Sequence, residues 1–210
     1  MLAPVMLLSQ HLMDKDLVTQ KGQPQLKVIL ESAGDARNII AHLLQFSRSK
    51  SPSPEVHDPG RLLDDAMQIV RQAVPASTSL EVHIEGHPPH ITFDRTAFVQ
   101  ILLNLVSNAS AATDGVGTVK VVLDGLDNES EHKRHARLRV SDNGHGMDQA
   151  TLERAFEPFF TTKPVGQGTG LGLSVIYGLV HEAHGTIDLH SEVGCGTTVT
   201  ILLPEHSGDN

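Results

Sequence analysis

From Asp58 to Pro204, helical and extended patterns alternate, yet never in the regular strand-helix-strand rhythm that a parallel sheet demands. No other feature limits the possible folds so strongly. Asp58 and Pro59 form a cap and first-turn pair, and the helix they start runs through LLDDAMQIVRQAV to about residue 74. In SLEVHIEG, Leu80, Val82 and Ile84 alternate with polar neighbours, the pattern of a half-buried strand. A short edge follows around ITF, and then Asp94 caps the apolar helix RTAFVQILLNLVSNASAA. Strands are predicted at 118–124 and 136–141, followed by a short helix at 148–155 and a long Gly/Thr/Pro loop. A helix from about 171 to 183 and strands at 185–190 and 197–203 complete the series. The expected class is α+β, an α/β sandwich whose mixed sheet carries helices on one face.

The chain ahead of this unit has a different character. Residues 25–49 place Ile29, Ala33, Ala36, Ile40, Leu43 and Ser47 at alternating spacings of four and three, a narrow seam along one helix. Residues 2–18 suit a partner helix, and Lys21-Gly22-Gln23-Pro24 between them is breaker chemistry. Residues 1–50 are therefore expected to form a helical hairpin that dimerises into a four-helix bundle. The Ser/Pro-rich stretch SRSKSPSPEVHDPG makes 51–58 a linker and leaves 59–206 as the second domain.

Charge excludes several roles. A net charge of −9 with no Trp and one Tyr offers neither the basic footprint nor the stacking platforms that nucleic acid requires, and no polybasic signal for an anionic membrane. The apolar opening MLAPVMLLSQHL is interrupted by Pro4, Gln10 and His11 and has no basic leader, so no transmembrane segment is expected. Cys195 stands alone, which rules out an internal disulfide framework and suits a reducing cytoplasm. The histidines are scattered, and the nearest group, His83, His87 and His90, straddles Gly86, Pro88 and Pro89 as in a strand and turn.

Four stretches carry the chemistry. Asn104 and Asn108 lie four apart on one face of an otherwise apolar helix. Their carbonyl oxygens suit Mg²⁺, and buried amides that bridge loops are the alternative. SDNGHGM at 141–147 ends a strand with Asp142 leaving the sheet before Gly144 and Gly146. Such a carboxylate can accept a hydrogen bond from an exocyclic amine, or the stretch can be a plain hairpin turn. ERAFEPFFTTK at 153–163 reads as a hydrophobic anchor for a mobile flap, with Phe156, Phe159 and Phe160 as the anchor and Lys163 available to a phosphate. Simple packing would also explain the phenylalanines. GQGTGLGL at 166–173 fails both the Walker A and the dinucleotide spacing, and it could be a linker or a phosphate-facing loop.

In this order, and followed by SEVGCGTTVTILLP, these stretches resemble the N, D, F and G boxes of the ATP-binding domain of sensor histidine kinases, over about residues 94–204. FEPFFTTK followed by GTGLGL is similar to nitrogen-regulation-type and related soluble or hybrid kinases. The resemblance implies the Bergerat (GHKL) ATP-binding fold behind a helical dimerisation and phosphotransfer hairpin, with ATP and Mg²⁺ as ligands. It implies that Asn108 ligates Mg²⁺, that Asn104 lies near the phosphates, and that Asp142 binds the adenine amine. Gly144 and Gly146 would form the base pocket, with Thr197 assisting through the same hydrogen bonds. Gly168, Thr169, Gly170, Leu171 and Gly172 would frame the triphosphate at a helix start, Gly166 and Gly168 would let the lid move, and Lys163 would meet the γ-phosphate. The implied partners are a response-regulator receiver domain and a second copy of the chain.

Gyrase, MutL and related ATPases of this fold hold a Glu base at the position of Asn104, and an amide cannot abstract a proton. Asn104 therefore points to a histidine kinase. Two departures stand out. Ala111 replaces the basic residue that many members carry three positions after the Mg²⁺ ligand, and no stretch matches the acceptor motif His-Asp-Phe-Asn-Asn. The expected acceptor histidine would then precede Met1, since His11 and His42 read as ordinary helix positions. The expectation is a kinase core that binds Mg-ATP without phosphorylating itself. The competing readings are a non-catalytic nucleotide-binding and dimerisation module and an ATPase of the same fold.

Overall fold

Asp58 and Asp94 each hold an extended backbone and turn their carboxylates onto the free N–H groups of the helix that follows. The computed structural model describes residues 7–9, 11–13, 18–19, 22–23, 25–26, 29, 54–128, 133–164 and 168–208. In it, helix α1 spans Pro59–Ala73 and helix α2 spans Arg95–Ala112, as their caps predict. Asp58 Oδ1 accepts from Gly60 N at 2.9 Å, and Asp94 Oδ1 accepts from Ala97 N at 2.8 Å. Loss of such a cap costs about 1 kcal/mol. Helix α1 buries Leu62, Leu63, Ala66, Met67 and Val70 along one face, and α2 buries Phe98, Ile101, Leu102, Leu105, Val106 and Ala109.

The sheet is mixed, as expected. It is built from β2 (Ser79–Ile84), β4 (Thr118–Asn128), β5 (Lys133–Asp142), β6 (Thr186–Glu192) and β7 (Gly196–Pro204), in the order β2-β4-β5-β7-β6. The β2–β4 pairing is parallel and the other three are antiparallel. Val119, Val121 and Leu123 of β4, Ala136, Leu138 and Val140 of β5, and Val199, Ile201 and Leu203 of β7 form one core with α1 and α2. Helix α3 (Gln149–Arg154) starts at the Asp148 cap, and α4 (Gly172–Glu182) adds Ile176 and Val180 to the core. Alternate residues point to opposite faces of a strand, so every second side chain of the central strands is committed to this layer.

Two details differ from the sequence reading. Residues 55–57, assigned to the linker, form strand β1 (Glu55–His57), which pairs with β3 (Ile91–Phe93) in a separate antiparallel ribbon. A three-residue strand beside a Ser/Pro run has too short a period to register locally. The hairpin of β4 and β5 is longer than expected, pairing as far as Asn128 and Lys133. Its distal half is charged and is held by pairs such as Arg134 Nε to Asp127 Oδ1 at 2.9 Å. On the sheet face opposite the core, Asp124 is only 7 % exposed because Arg137 and Arg139 of the neighbouring strand cover it. Arg137 Nε and Nη2 donate to the two carboxylate oxygens at 2.7 Å each, and Arg139 Nη2 adds a third bond at 2.8 Å. The hydrogen-bonded Arg137 holds the Asp124 carboxyl below its ordinary value.

The chain divides into two units, one of Pro52–Phe156 with Gly172–Asn210 that contains both sheets, and one of Met1–Ser51 with Glu157–Leu171. The hairpin expected over 1–50 falls almost wholly outside the described residues. Among them, 7–9, 11–13, 23, 25, 26 and 29 are helical.

Candidate functional site

Helix α2 carries its two amides one turn apart, so both face the same way while the apolar residues around them enter the core. Asn104 and Asn108 are each half-buried. The Asn104 Nδ2 atom is buried with no hydrogen-bond partner, a costly state for an amide donor. Helix α4 begins against these amides: a Cβ on Gly172 would lie 3.5 Å from Asn108 Nδ2 and 4.0 Å from Asn104 Cγ. The first turn of a helix has N–H groups without intrahelical partners and the positive end of the helix dipole. An orphaned amide donor, a second amide and a helix N-terminus thus converge on one spot, a donor set that fits phosphate oxygens. The Asn carbonyl oxygens fit a hard cation beside them. This convergence disfavours the alternative of bridging amides, because Asn104 Nδ2 bridges to nothing.

The C-terminal end of α2 locks onto the turn after β5. The His145 N–H donates to the Ala112 carbonyl at 3.0 Å, and a Cβ on Gly144 would stand 2.3 Å from that same oxygen. No side chain fits there. Gly146 has φ +66° and passes so close to the β6–β7 turn that a Cβ would sit 1.9 Å from the Glu192 carbonyl oxygen. Gly196, with φ +99°, crosses Asp142 in the same manner at 2.0 Å. The sequence reading gave Gly144 and Gly146 the task of admitting a flat ring. The structure gives them a different requirement, since the space beside their Cα atoms is filled by backbone.

These crossings fix Asp142 at the end of β5. Its Oδ1 accepts from Gly144 N at 2.9 Å, and its carboxylate also accepts from the Thr197 N–H. Burial raises the Asp142 carboxyl above its ordinary value despite those two bonds and the nearby His145. The Thr197 hydroxyl meets Ser191 Oγ at 2.9 Å, and Ser191 Oγ accepts from Met147 N at 2.8 Å. Thr197 is therefore in the Asp142 network, as expected. Ser191 was missed, and its only sequence signal is its place two residues before the glycine turn. Gly196 was read only as the neighbour of Thr197.

The segment Glu157–Leu171 belongs to the other unit. Phe159 adopts φ +68°, unusual for a bulky residue, and its N–H donates to the Gly170 carbonyl at 2.9 Å. Gly170 has φ +64°, and a Cβ there would collide with the Phe159 backbone at 2.4 Å. Its glycine requirement thus lies in closing this loop base, a different task from the phosphate approach expected of it. Phe159 itself is 63 % exposed and does not anchor the flap. Phe156, in the sheet-bearing unit, packs on Tyr177 with ring centroids 5.6 Å apart. The Lys163 N–H donates to Thr161 Oγ1 at 3.2 Å, a Cβ on Gly168 would press on that same oxygen at 2.6 Å, and burial lowers the Lys163 ammonium below its ordinary value. The Leu171 N–H donates to Thr169 Oγ1 at 3.4 Å, and the helix starts at Gly172 where Leu171 was expected. Gly166 lies outside the described residues, as does His42, whereas His11 is exposed. No helix among the described residues is long and apolar enough to cross a membrane.

Comparison with known proteins agrees with this geometry. A sensor kinase CckA of Brucella abortus is 32 % identical over 97 % of this chain, and a sensor histidine kinase ZraS of Escherichia coli is 31 % identical over 86 %. The chain spans only 22 % and 37 % of the lengths of these curated relatives. Among solved structures, a mycobacterial sensor histidine kinase MprB superposes with a TM-score of 0.60 at 26 % identity, covering 72 % of this chain and 97 % of that one. Residues 93–207, more than half of the chain, match the model of the histidine kinase-, DNA gyrase B- and HSP90-like ATPases. The chain belongs to that family, and its α/β unit is the ATP-binding catalytic domain of a sensor histidine kinase.

Proposed function

We propose that this chain binds Mg-ATP in the sheet-bearing unit and serves the transfer of the γ-phosphoryl group to a histidine imidazole. The observation that carries this reading is the convergence of Asn104, Asn108 and the α4 N-terminus along the C-terminal half of α2, with the Asp142 turn held at the Ala112 end of the same helix. Asp142 would accept the adenine amine, and Asn104 Nδ2 would find in a phosphate oxygen the partner it lacks. Asn108 would hold Mg²⁺, which when bound offsets charge on the phosphates. Gly168, Thr169, Gly170, Leu171 and Gly172 would follow the triphosphate, and Lys163, already desolvated, would reach the γ-phosphate.

In the transfer, the unprotonated imidazole nitrogen forms a bond to phosphorus, the bond from phosphorus to the bridging oxygen of ADP breaks with that electron pair staying on ADP, and the proton on the other ring nitrogen passes to water. Such chemistry rests on positioning and charge neutralisation. Asn104 cannot act as a base, which supports an imidazole acceptor over water. None of the histidines in these 210 residues sits in the acceptor motif, so none of them is assigned as the acceptor. The further partners proposed are a response-regulator receiver domain and a second copy joined through residues 1–50, in the cytoplasm.

The test is calorimetric titration with a non-hydrolysable ATP analogue and Mg²⁺, repeated with Asp142→Ala. Wild type is expected to bind, and the variant to lose at least about tenfold in affinity, as for a hydrogen bond to a charged group. Absence of binding by wild type overturns the site. Transfer from labelled ATP to an added intact hairpin then separates a kinase from a nucleotide-binding module without activity.

A further inference from the structure

Ser191 on β6 lies directly opposite Thr197 on β7. Its hydroxyl has three neighbours: the Met147 N–H at 2.8 Å, the Gly196 carbonyl at 3.0 Å and Thr197 Oγ1 at 2.9 Å. A hydroxyl has one proton and two lone pairs, so these three contacts admit one arrangement. The Gly196 carbonyl only accepts, and it takes the Ser191 proton. The Met147 N–H only donates, and it fills one Ser191 lone pair. Thr197 must then donate its own proton to the other. Ser191 is saturated, and the Thr197 oxygen is left with lone pairs alone. The backbone N–H of the same Thr197 donates to Asp142, so carboxylate and hydroxyl belong to one hydrogen-bonded group.

We infer that Ser191 determines base specificity: by fixing the direction of the Thr197 proton, it makes Thr197 an acceptor like Asp142, so the site selects a purine bearing an amine over one bearing a keto group. Adenine offers an N–H donor at that edge. At the exocyclic position guanine instead places a carbonyl oxygen, which finds two acceptors, Asp142 and Thr197, and no donor. Specificity of this kind is strong because mismatched polar groups are left unpaired in a partly buried site. The inference rests on the reading that Asp142 receives the base.

The experiment compares the affinities of non-hydrolysable ATP and GTP analogues, each with Mg²⁺, for the full chain. In Ser191→Ala the Thr197 hydroxyl is free to turn and donate to a keto oxygen, and the ATP-over-GTP preference is expected to fall roughly three- to tenfold. Ser191→Thr, which keeps a hydroxyl, restores it. In a Thr197→Val background, Ser191→Ala leaves the ratio unchanged, because the oxygen it acts through is gone. Thr197→Val alone, with Ser191 in place, lowers the preference and tests the same acceptor should Ser191→Ala fail to fold. Equal weakening of both nucleotides by Ser191→Ala, or the same fall in ratio in the Thr197→Val background, marks a merely structural serine and overturns the inference. Failure of the underlying reading looks different: wild type then binds neither analogue, or Asp142→Ala leaves the ratio untouched.

Discussion

Replacing Gly146 with alanine adds a single methyl group, and the structure allows its cost to be divided into two parts. The first is conformational, since Gly146 has φ +66° and an L-residue held in that region loses about 1–2 kcal/mol. The second is steric: the new Cβ would lie 1.9 Å from the Glu192 carbonyl oxygen, and the β6–β7 turn has to give way. Overpacking of this kind costs about 1–3 kcal/mol. Gly194 supplies the control, because it has φ +80° with nothing within 4 Å of its Cβ position and so incurs only the first cost. Urea unfolding of both variants should therefore place Gly146→Ala about 1–3 kcal/mol below Gly194→Ala, which for a chain of this size corresponds to roughly 2–12 °C in melting temperature. Nucleotide affinity should fall in Gly146→Ala alone, since the same turn sets the Thr197 N–H on Asp142. Equal destabilisation by the two substitutions would falsify the claim that the Asp142 turn and the β6–β7 turn are in backbone contact.

Asp142→Asn separates binding from stability. Because burial raises the folded carboxyl above 3.8, the stability linked to this group is full below that value and is lost as pH rises through the raised one. The variant should then unfold no earlier than wild type at neutral pH while binding the ATP analogue at least about tenfold more weakly, and wild-type affinity itself should decline as acid protonates the carboxylate. Early unfolding of the variant would count against this account. Asp124 has the opposite sign: Arg137 holds its folded value below 3.8, so its contribution is present above that value and disappears as pH falls through the lowered one. Asp124→Asn should cost about 2–4 kcal/mol at pH 7 in urea titration, with the gap to wild type closing in acid, and a gap that does not change with pH contradicts the ion-pair assignment. For Gly170→Ala, a Cβ 2.4 Å from the Phe159 carbonyl carbon should open the loop base, lowering ATP-analogue affinity at least tenfold or so while the unfolding midpoint of the sheet-bearing unit shifts by less than about 1 kcal/mol. Unchanged affinity there returns the glycine run to the status of a linker.

The elements that sequence reading recovered have local causes. Asp58 and Asp94 announce their helices because a short acidic side chain reaches its own N–H groups, and β2 announces itself through Leu80, Val82 and Ile84. Asn104, Asn108 and Asp142 stand out in the sequence as candidates because amides in an apolar helix and a carboxylate before two glycines are chemically out of place, and because they occur in a specific order. What escaped depends on partners distant in the chain. Nothing around Ala112 indicates that its carbonyl closes on His145, and nothing around Ser191 indicates that it meets Met147 across 44 residues. Gly144, Gly146 and Gly170 were found as glycines, and the structure adds a steric requirement for each that the sequence does not show. A missing Cβ announces only that space is needed, and the occupant turned out to be backbone. Asp124 was passed over for the same cause, since its arginines lie on another strand.

The joint between Ala112 and the Asp142 turn makes the end of α2 a ruler. Measured along the helix axis from Ala112, Asn108 stands about 6 Å away and Asn104 about 12 Å, at 1.5 Å per residue. If the base is held at the Asp142 turn as proposed above, a rigid rod graduated in this way would have its zero clamped there and would compare a ligand's length with its own. On that proposal a nucleoside would reach no mark, and each added phosphate would advance the ligand along the scale toward Asn104. Inserting one residue between Asn108 and Ala112 would leave the zero in place yet turn both marks by about 100° around the axis, so the rod would still hold the fold and would no longer measure.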